Sequence, residues 1–311
     1  MKRLEQALKD YLDIRRSLGY RLQKAEGLLR NFVAFLQAEG APYITRELAL
    51  RWATQPAKAE PSTWAGRLGT VRRFAIWHSA IEPRSEIPPT GLLPYRYHRK
   101  PPHIYSDEEI EKLLRRTQQL PSPKGLRAHT YTTLFGLLLV TGMRVNEALG
   151  LDRLDVDLKL GIVHIRRTKF GKSRYVPVHP STVDALKKYA ESRDHIFPAP
   201  PTAAFFLSER GRRITASIVH YTFATLSQRI GLRAGAKGRG HGPRLMDMRH
   251  RFATRTLIHW YRAGLDVERE LPKLATYLGH VHINYTYWYL EAVPELLQLA
   301  TDRLIPREVQ P

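Results

Sequence analysis

The chain has 311 residues, with 50 basic and 29 acidic side chains, a formal charge of +21 and no cysteine. This length suggests two domains, and the absence of cysteine excludes disulfides, thiolate catalysis and cysteine-based zinc sites. The charge excess is spread along the chain, +9 in residues 1–100 and +12 in the remainder. Both halves can therefore face one polyanion, with nucleic acid as the leading partner and a generally basic protein as the plain alternative.

The start, Met1-Lys2-Arg3-Leu4-Glu5, runs directly into a charged amphipathic stretch, so no signal peptide is expected. The longest apolar run, Leu134 to Val140, is too short to span a bilayer. A cytoplasmic protein with no membrane contact is expected. Residues 1–82 read as helical: Leu4, Leu8, Tyr11 and Leu12, then Leu28, Leu29, Phe32, Phe35 and Leu36, recur at three- and four-residue spacing. A third helix is expected around Leu48–Ala53. A fourth runs from Ser62 to Ser79, with Ser62 as N-cap after Pro61. On it Arg67, Arg72 and Arg73 oppose Trp64, Leu68, Val71 and Ala75, which gives either a DNA-facing basic surface or a solvated charged face. Residues 83–103 hold six prolines among Arg96, His98, Arg99 and Lys100 and read as an extended basic linker.

Helices resume at Ser106-Asp107-Glu108-Glu109, which has the spacing of a capping box. Leu134–Val140 reads as a buried core helix. Leu154–Asp157, Gly161–Arg166 and Arg174–Val178 read as strands, with Lys169-Phe170-Gly171-Lys172-Ser173 as a turn. After Pro180 helices continue to near Leu304, interrupted by a glycine-rich basic loop, Arg233–Arg244. The expected class is mainly α with a small antiparallel β-sheet (α+β). Its domains are residues 1–87, a linker 88–103, and residues 104–311 with a C-terminal helix.

Four features of the second half carry chemistry. In Thr141-Gly142-Met143-Arg144-Val145-Asn146-Glu147, an apolar helix ends at glycine and an arginine begins the next. Guanidinium and helix amides can converge there on a phosphate, or Arg144 and Glu147 can form a structural pair. Lys169, at a hairpin tip, can protonate a leaving alkoxide, or be an exposed turn lysine with no chemical role. Arg249, within Met248-Arg249-His250-Arg251-Phe252-Ala253-Thr254, is a second arginine opening a helix. Leu278-Gly279-His280 is followed nine residues later by Tyr289. Rival motifs fail: Gly171-Lys172-Ser173 lacks the upstream P-loop glycine, Arg166 standing there, and Pro243 takes the third glycine of a dinucleotide fingerprint. His280 and His282 lack metal-site spacing, so no metal and no cofactor is expected.

Together, T-G-x-R-x-x-E, the hairpin lysine, R-H-x-F-A-T, L-G-H and the late tyrosine resemble the tyrosine recombinase (phage integrase and Xer) family over nearly the whole chain. The resemblance implies an N-terminal core-binding domain and a C-terminal catalytic domain. Arg144 and Arg249 would then be the catalytic arginines, Lys169 the hairpin lysine, His280 the late histidine and Tyr289 the nucleophile, with Glu147 and His250 in support. The family places a histidine three residues before the second arginine, where this chain has Met246; a thioether cannot relay a proton, so reduced cleavage is expected unless a neighbour such as His241 substitutes. The implied activity is cutting and rejoining of double-stranded DNA at a specific site through a 3′-phosphotyrosyl link. It would serve integration, excision or resolution of a mobile element, at the nucleoid, as a tetramer of this chain or with a related recombinase. DNA contacts are expected from Arg67, Arg72, Arg73, Arg99, Lys100, Lys172, Arg174, Arg212, Arg213, Lys237, Arg239 and Arg244. The alternatives are a recombinase-fold DNA-binding protein with impaired cleavage and a type IB topoisomerase-like activity. The apolar segment after Tyr289, with Val293, Leu296, Leu297 and Leu299, is expected to form a helix that docks on a neighbouring subunit or on its own domain.

Overall fold

Amphipathic periodicity accounts for the first four helices, α1 (Lys2–Ser17), α2 (Gln23–Ala38), α3 (Arg46–Thr54) and α4 (Pro61–His78). This computed structural model describes residues 2–95, 101–166, 173–233, 242–291 and 294–304. The chain divides into two units, residues 1–100 and 101–311. In the first, Leu4, Leu8 and Leu12 of α1, Leu29, Phe32 and Leu36 of α2, Trp52 of α3 and Phe74 of α4 are buried together. Burying one such side chain stabilises by roughly 1.5–3 kcal/mol.

Two local readings in this unit need correction. Helix α4 begins at Pro61 rather than after Ser62, and Glu60 is its N-cap. Proline suits this first helical position because the amide it lacks would be unpaired there. The proline-bearing stretch is also not free from residue 83. Ser85 is buried and its hydroxyl accepts from the Ile44 amide at 3.1 Å, while Glu86 accepts from the Arg46 amide at 2.7 Å.

The second unit is built on α5 (Asp107–Gln118), α6 (Leu126–Thr141), α7 (Val145–Gly150), α8 (Pro180–Ile196) and α9 (Ala216–Arg229). Ser106 and Glu109 form the expected reciprocal cap on α5. Helix α6 is the buried axis, with Leu134, Phe135 and Leu138 at 0–1% exposure. Strands β1 (Val156–Asp157), β2 (Ile162–Ile165) and β3 (Arg174–Pro177) form an antiparallel sheet in that order, with Val163 opposite Val176. Arg153–Asp155 is a 3₁₀ turn rather than strand. There the Asp155 carboxylate accepts from the Asp152 amide at 2.9 Å, a local bond that competes with sheet pairing.

A second core joins α10 (Leu245–Arg262), α11 (Val267–Leu278), α12 (Asn284–Glu291) and α13 (Pro294–Leu304). Leu257, Leu271, Leu274 and Leu278 fill it, together with Tyr289 and Leu296. Helix α13 therefore packs on its own unit through Leu296, helped by an Arg262–Glu295 ion pair at 2.7 Å, and leaves Leu297 half exposed. Val293 lies outside the described residues. Among the described residues, no helix is long and apolar enough to cross a membrane.

Candidate active site

Three helix ends meet at one place in the second unit. Helix α6 stops at Gly142, whose φ of 59° is left-handed and whose added Cβ would lie 2.6 Å from the Phe252 ring. Only glycine fits that turn at low cost. Two residues later Arg144 is the extended N-cap of α7. Its amide and its Nη1 donate to the Glu147 carboxylate at 2.9 and 2.8 Å. The pairing weighed from sequence is thus present, and it holds the Arg144 head in place while leaving the side chain one-third exposed.

Arg249, from the second turn of α10, is 3% exposed. Its Nη1 donates to the Gly142 carbonyl at 2.9 Å and its Nη2 to the Leu278 carbonyl at 2.8 Å. One guanidinium thereby ties the end of α6 to the end of α11. Its Nη2 also lies 2.8 Å from His280 Nε2. Burial pushes the Arg249 guanidinium down from its ordinary value; the neighbouring Tyr289 hydroxyl opposes this, and the Arg144 charge adds to it.

Helix α11 ends at Gly279, again left-handed, and delivers His280. The His280 ring stacks on the Tyr289 ring at a centroid distance of 6.0 Å, and its Nδ1 lies 2.7 Å from the Thr286 hydroxyl. Burial, followed by the charges of Arg249, Arg144 and Arg174, pushes its pKa down to about 3. Tyr289 itself is 3% exposed, with the His250 ring edge-on at 5.3 Å. Tyr287, two residues away, is 38% exposed.

Arg144, Glu147, Arg249, His250, His280 and Tyr289 are therefore brought together. Met246 lies on the first turn of α10 and is half exposed. Lys169, Lys172, Arg99, Lys100, Lys237, Arg239 and His241 fall outside the described residues.

Several arginines expected to face DNA are engaged internally. Arg174 is the main correction. Its Nη1 and Nη2 grip both oxygens of Glu147 at 3.1 and 2.7 Å, its Nε donates to the Tyr277 carbonyl at 2.8 Å, and its side chain is 10% exposed. It belongs to the site's interior because it shares a strand face with the buried Val176, two residues on. Arg67 lies over the Trp52 ring at 3.8 Å and donates to the Trp52 carbonyl. Arg213 donates to the Leu149 and Leu151 carbonyls and pairs with Asp152. Arg244 caps α10 through Asp247. Arg73 and Arg212 are exposed and Arg72 is half-buried, so α4 does not present its three arginines on one open face.

Sequence reasoning also missed Thr286, which is fully buried against His280. Its signal was the three-residue spacing to Tyr289, which puts both on one face of α12. Glu147 is held below its ordinary value: burial raises it, but the hydrogen bonds and charges of Arg174 and Arg144 outweigh that. Among the described residues, no group of three or more histidine or carboxylate side chains is positioned to hold a metal.

A helical unit with a small sheet, and a buried arginine and a half-buried one beside a tyrosine, suit an enzyme of phosphoryl chemistry. The phage integrase family model matches residues 104–295. A Sinorhizobium fredii protein named as an integrase/recombinase, y4rB, is 48% identical over 308 residues, covering 98% of each chain. The tyrosine recombinase XerD of Neisseria meningitidis is 28% identical over 239 residues, covering 76% of this chain and 75% of its own. In fold, the Tn1549 transposon integrase, solved with transposon right-end DNA, superposes with a TM-score of 0.62 at 17% identity, covering 97% and 99% of the two chains. The chain belongs to the phage integrase family and is a site-specific tyrosine recombinase.

Proposed function

We propose that Tyr289 is the nucleophile and that Arg144, Arg249 and His280 form the cradle for the scissile phosphate. The single observation supporting this most directly is the enclosure of the Tyr289 ring by Arg249, His280 and His250. Attack by the phenol builds negative charge on the non-bridging oxygens, and two arginines can grip those oxygens bidentately where lysine cannot. His280 adds a hydrogen bond, and Lys169 protonates the departing 5′-hydroxyl. The 3′-phosphotyrosyl link conserves the bond energy, so rejoining needs neither ATP nor metal. Glu147 and His250 hold the cradle.

The helical unit, residues 1–87, is read as a core-binding domain that tracks the DNA backbone through its remaining exposed basic side chains, with residues 88–103 as the linker to the catalytic domain. Exchange between two duplexes calls for a tetramer on DNA, and the task is integration, excision or resolution of the mobile element carrying the gene, at the nucleoid. Solved relatives include a lambda integrase tetramer bound to a Holliday junction.

The test is a nicked duplex carrying the element's end sequence. The wild-type chain should accumulate a covalent adduct, Tyr289→Phe should abolish it while retaining DNA binding, and Tyr287→Phe should leave it. Loss of the adduct in Tyr287→Phe alone would move the nucleophile. Met246→His should raise the adduct rate if residue 246 limits proton transfer. An unchanged rate would assign that proton to another group.

A further inference from the structure

We propose that Thr286 is a positioning residue that sets which ring nitrogen of His280 carries the proton and reverses that choice when DNA binds; this rests on the reading of His280 as a phosphate donor. The argument begins with donors and acceptors. Arg249 Nη2 can only donate, and it lies 2.8 Å from His280 Nε2. That nitrogen therefore presents its lone pair, and the proton of the neutral ring sits on Nδ1. There it is donated to the Thr286 hydroxyl, 2.7 Å away. The surrounding cations, Arg249, Arg144 and Arg174, keep the ring neutral, so one proton must serve both nitrogens.

A phosphate oxygen held by Arg249 changes the requirement, because it can only accept. His280 meets it productively with the proton on Nε2, and then Nδ1 needs a donor. A hydroxyl is the simplest side chain that can accept in one state and donate in the other. One proton leaves Nδ1 and one arrives at Nε2 by exchange with water, and the ring is neutral before and after. Thr286 is fully buried, so little else competes for Nδ1. It also stands three residues before Tyr289 on α12, so the same hydrogen bond seats the helix that carries the tyrosine.

The experiment is two-bond proton–nitrogen correlation on the full-length chain with ¹⁵N-labelled histidine, alongside the adduct assay. In the DNA-free protein the His280 proton should be on Nδ1. In the Tyr289→Phe protein bound to intact duplex it should be on Nε2. Thr286→Ser should keep both states and an adduct rate within about twofold of wild type. Thr286→Val should blur the DNA-free preference and slow adduct formation about tenfold, the worth of one neutral hydrogen bond. The same tautomer with and without DNA, or a wild-type adduct rate in Thr286→Val, overturns the proposal. If the wild-type chain forms no Tyr289 adduct at all, the site reading fails instead, and the DNA-free spectra of wild type and Thr286→Val still decide whether Thr286 sets the tautomer.

Discussion

Replacing Glu147 with glutamine should destabilise the second unit by about 3 kcal/mol, most of it through one neighbour. The carboxylate is 7% exposed and accepts from the Arg144 amide and Nη1 and from both terminal nitrogens of Arg174. Glutamine keeps the shape but removes the charge, and turns an amide NH₂ toward groups that only donate. Breaking a buried ion pair by deleting one partner costs roughly 3–5 kcal/mol. Arg174, with its side chain 10% exposed, carries most of that, whereas Arg144, 35% exposed, is screened by water and contributes at most about 1 kcal/mol. Urea unfolding followed by circular dichroism measures the loss. A second substitution, Arg174→Met, tests the cause: alone it should be costly, but in the Glu147→Gln background it should restore about 2 kcal/mol by removing the uncompensated buried charge. The sign of the pH dependence follows from the lowered Glu147 value. Its contribution is complete above the ordinary carboxylate range and fades as pH falls through the depressed one, so the glutamine variant should lack that acid limb. A loss below about 1 kcal/mol, or strictly additive double-mutant costs, would refute this account.

Two further outcomes follow from the same geometry. Gly279→Ala should cost more than about 2 kcal/mol, because a left-handed non-glycine residue costs roughly 1–2 kcal/mol and the new Cβ would sit 2.6 Å from Arg174 Nη1, whose guanidinium is pinned at both ends. Thermal unfolding checks it, and a cost under about 0.5 kcal/mol would mean Arg174 is loosely held. His280 should make the fold acid-sensitive. Its pKa falls to about 3 in the folded state, so the unfolded chain binds more protons between that value and about 6.5. Stability should drop as pH falls through this window, by at most about 1.4 kcal/mol per unit from this group, and His280→Asn should flatten that slope.

The parts of the fold legible in the sequence are those set by local rules. The cap at Ser106, the buried run of α6, the glycine that ends it and the arginine that follows are all readable from spacing, and the order of short motifs identified the family. What escaped depended on partners distant in sequence. Arg174 looked like a basic residue beside a turn, and only the alternation with Val176 hinted that it turns inward, toward a carboxylate 27 residues away. Arg67 looked solvent-facing on its own helix but lies over Trp52 of another. Strand pattern at Leu154 was outweighed by the side-chain bond of Asp155 to the backbone amide of Asp152, three residues earlier. Thr286 was hidden among tyrosines, because its partner is set by how α11 ends.

The arrangement of charge explains why such interior contacts matter to chemistry. Arg144, Arg174 and Arg249 converge near one carboxylate, Glu147, while His280 is kept neutral. Glu147 is gripped by the first two, so the hydrogen-bond partners of Arg249 are two main-chain carbonyls, an imidazole nitrogen and the Tyr289 hydroxyl. A guanidinium cannot shed its proton to escape burial, so the fold sustains a local excess of positive charge at the tyrosine. The lowered Arg249 value records that cost. If the site holds a phosphate as proposed, that anion, and still more the charge developing on its oxygens during attack, would be stabilised by guanidinium groups already in place. On the proposed reading, Arg174 would serve this without touching substrate. By neutralising Glu147 it lets that carboxylate fix the Arg144 backbone and still leave the Arg144 head one-third open to an incoming oxygen.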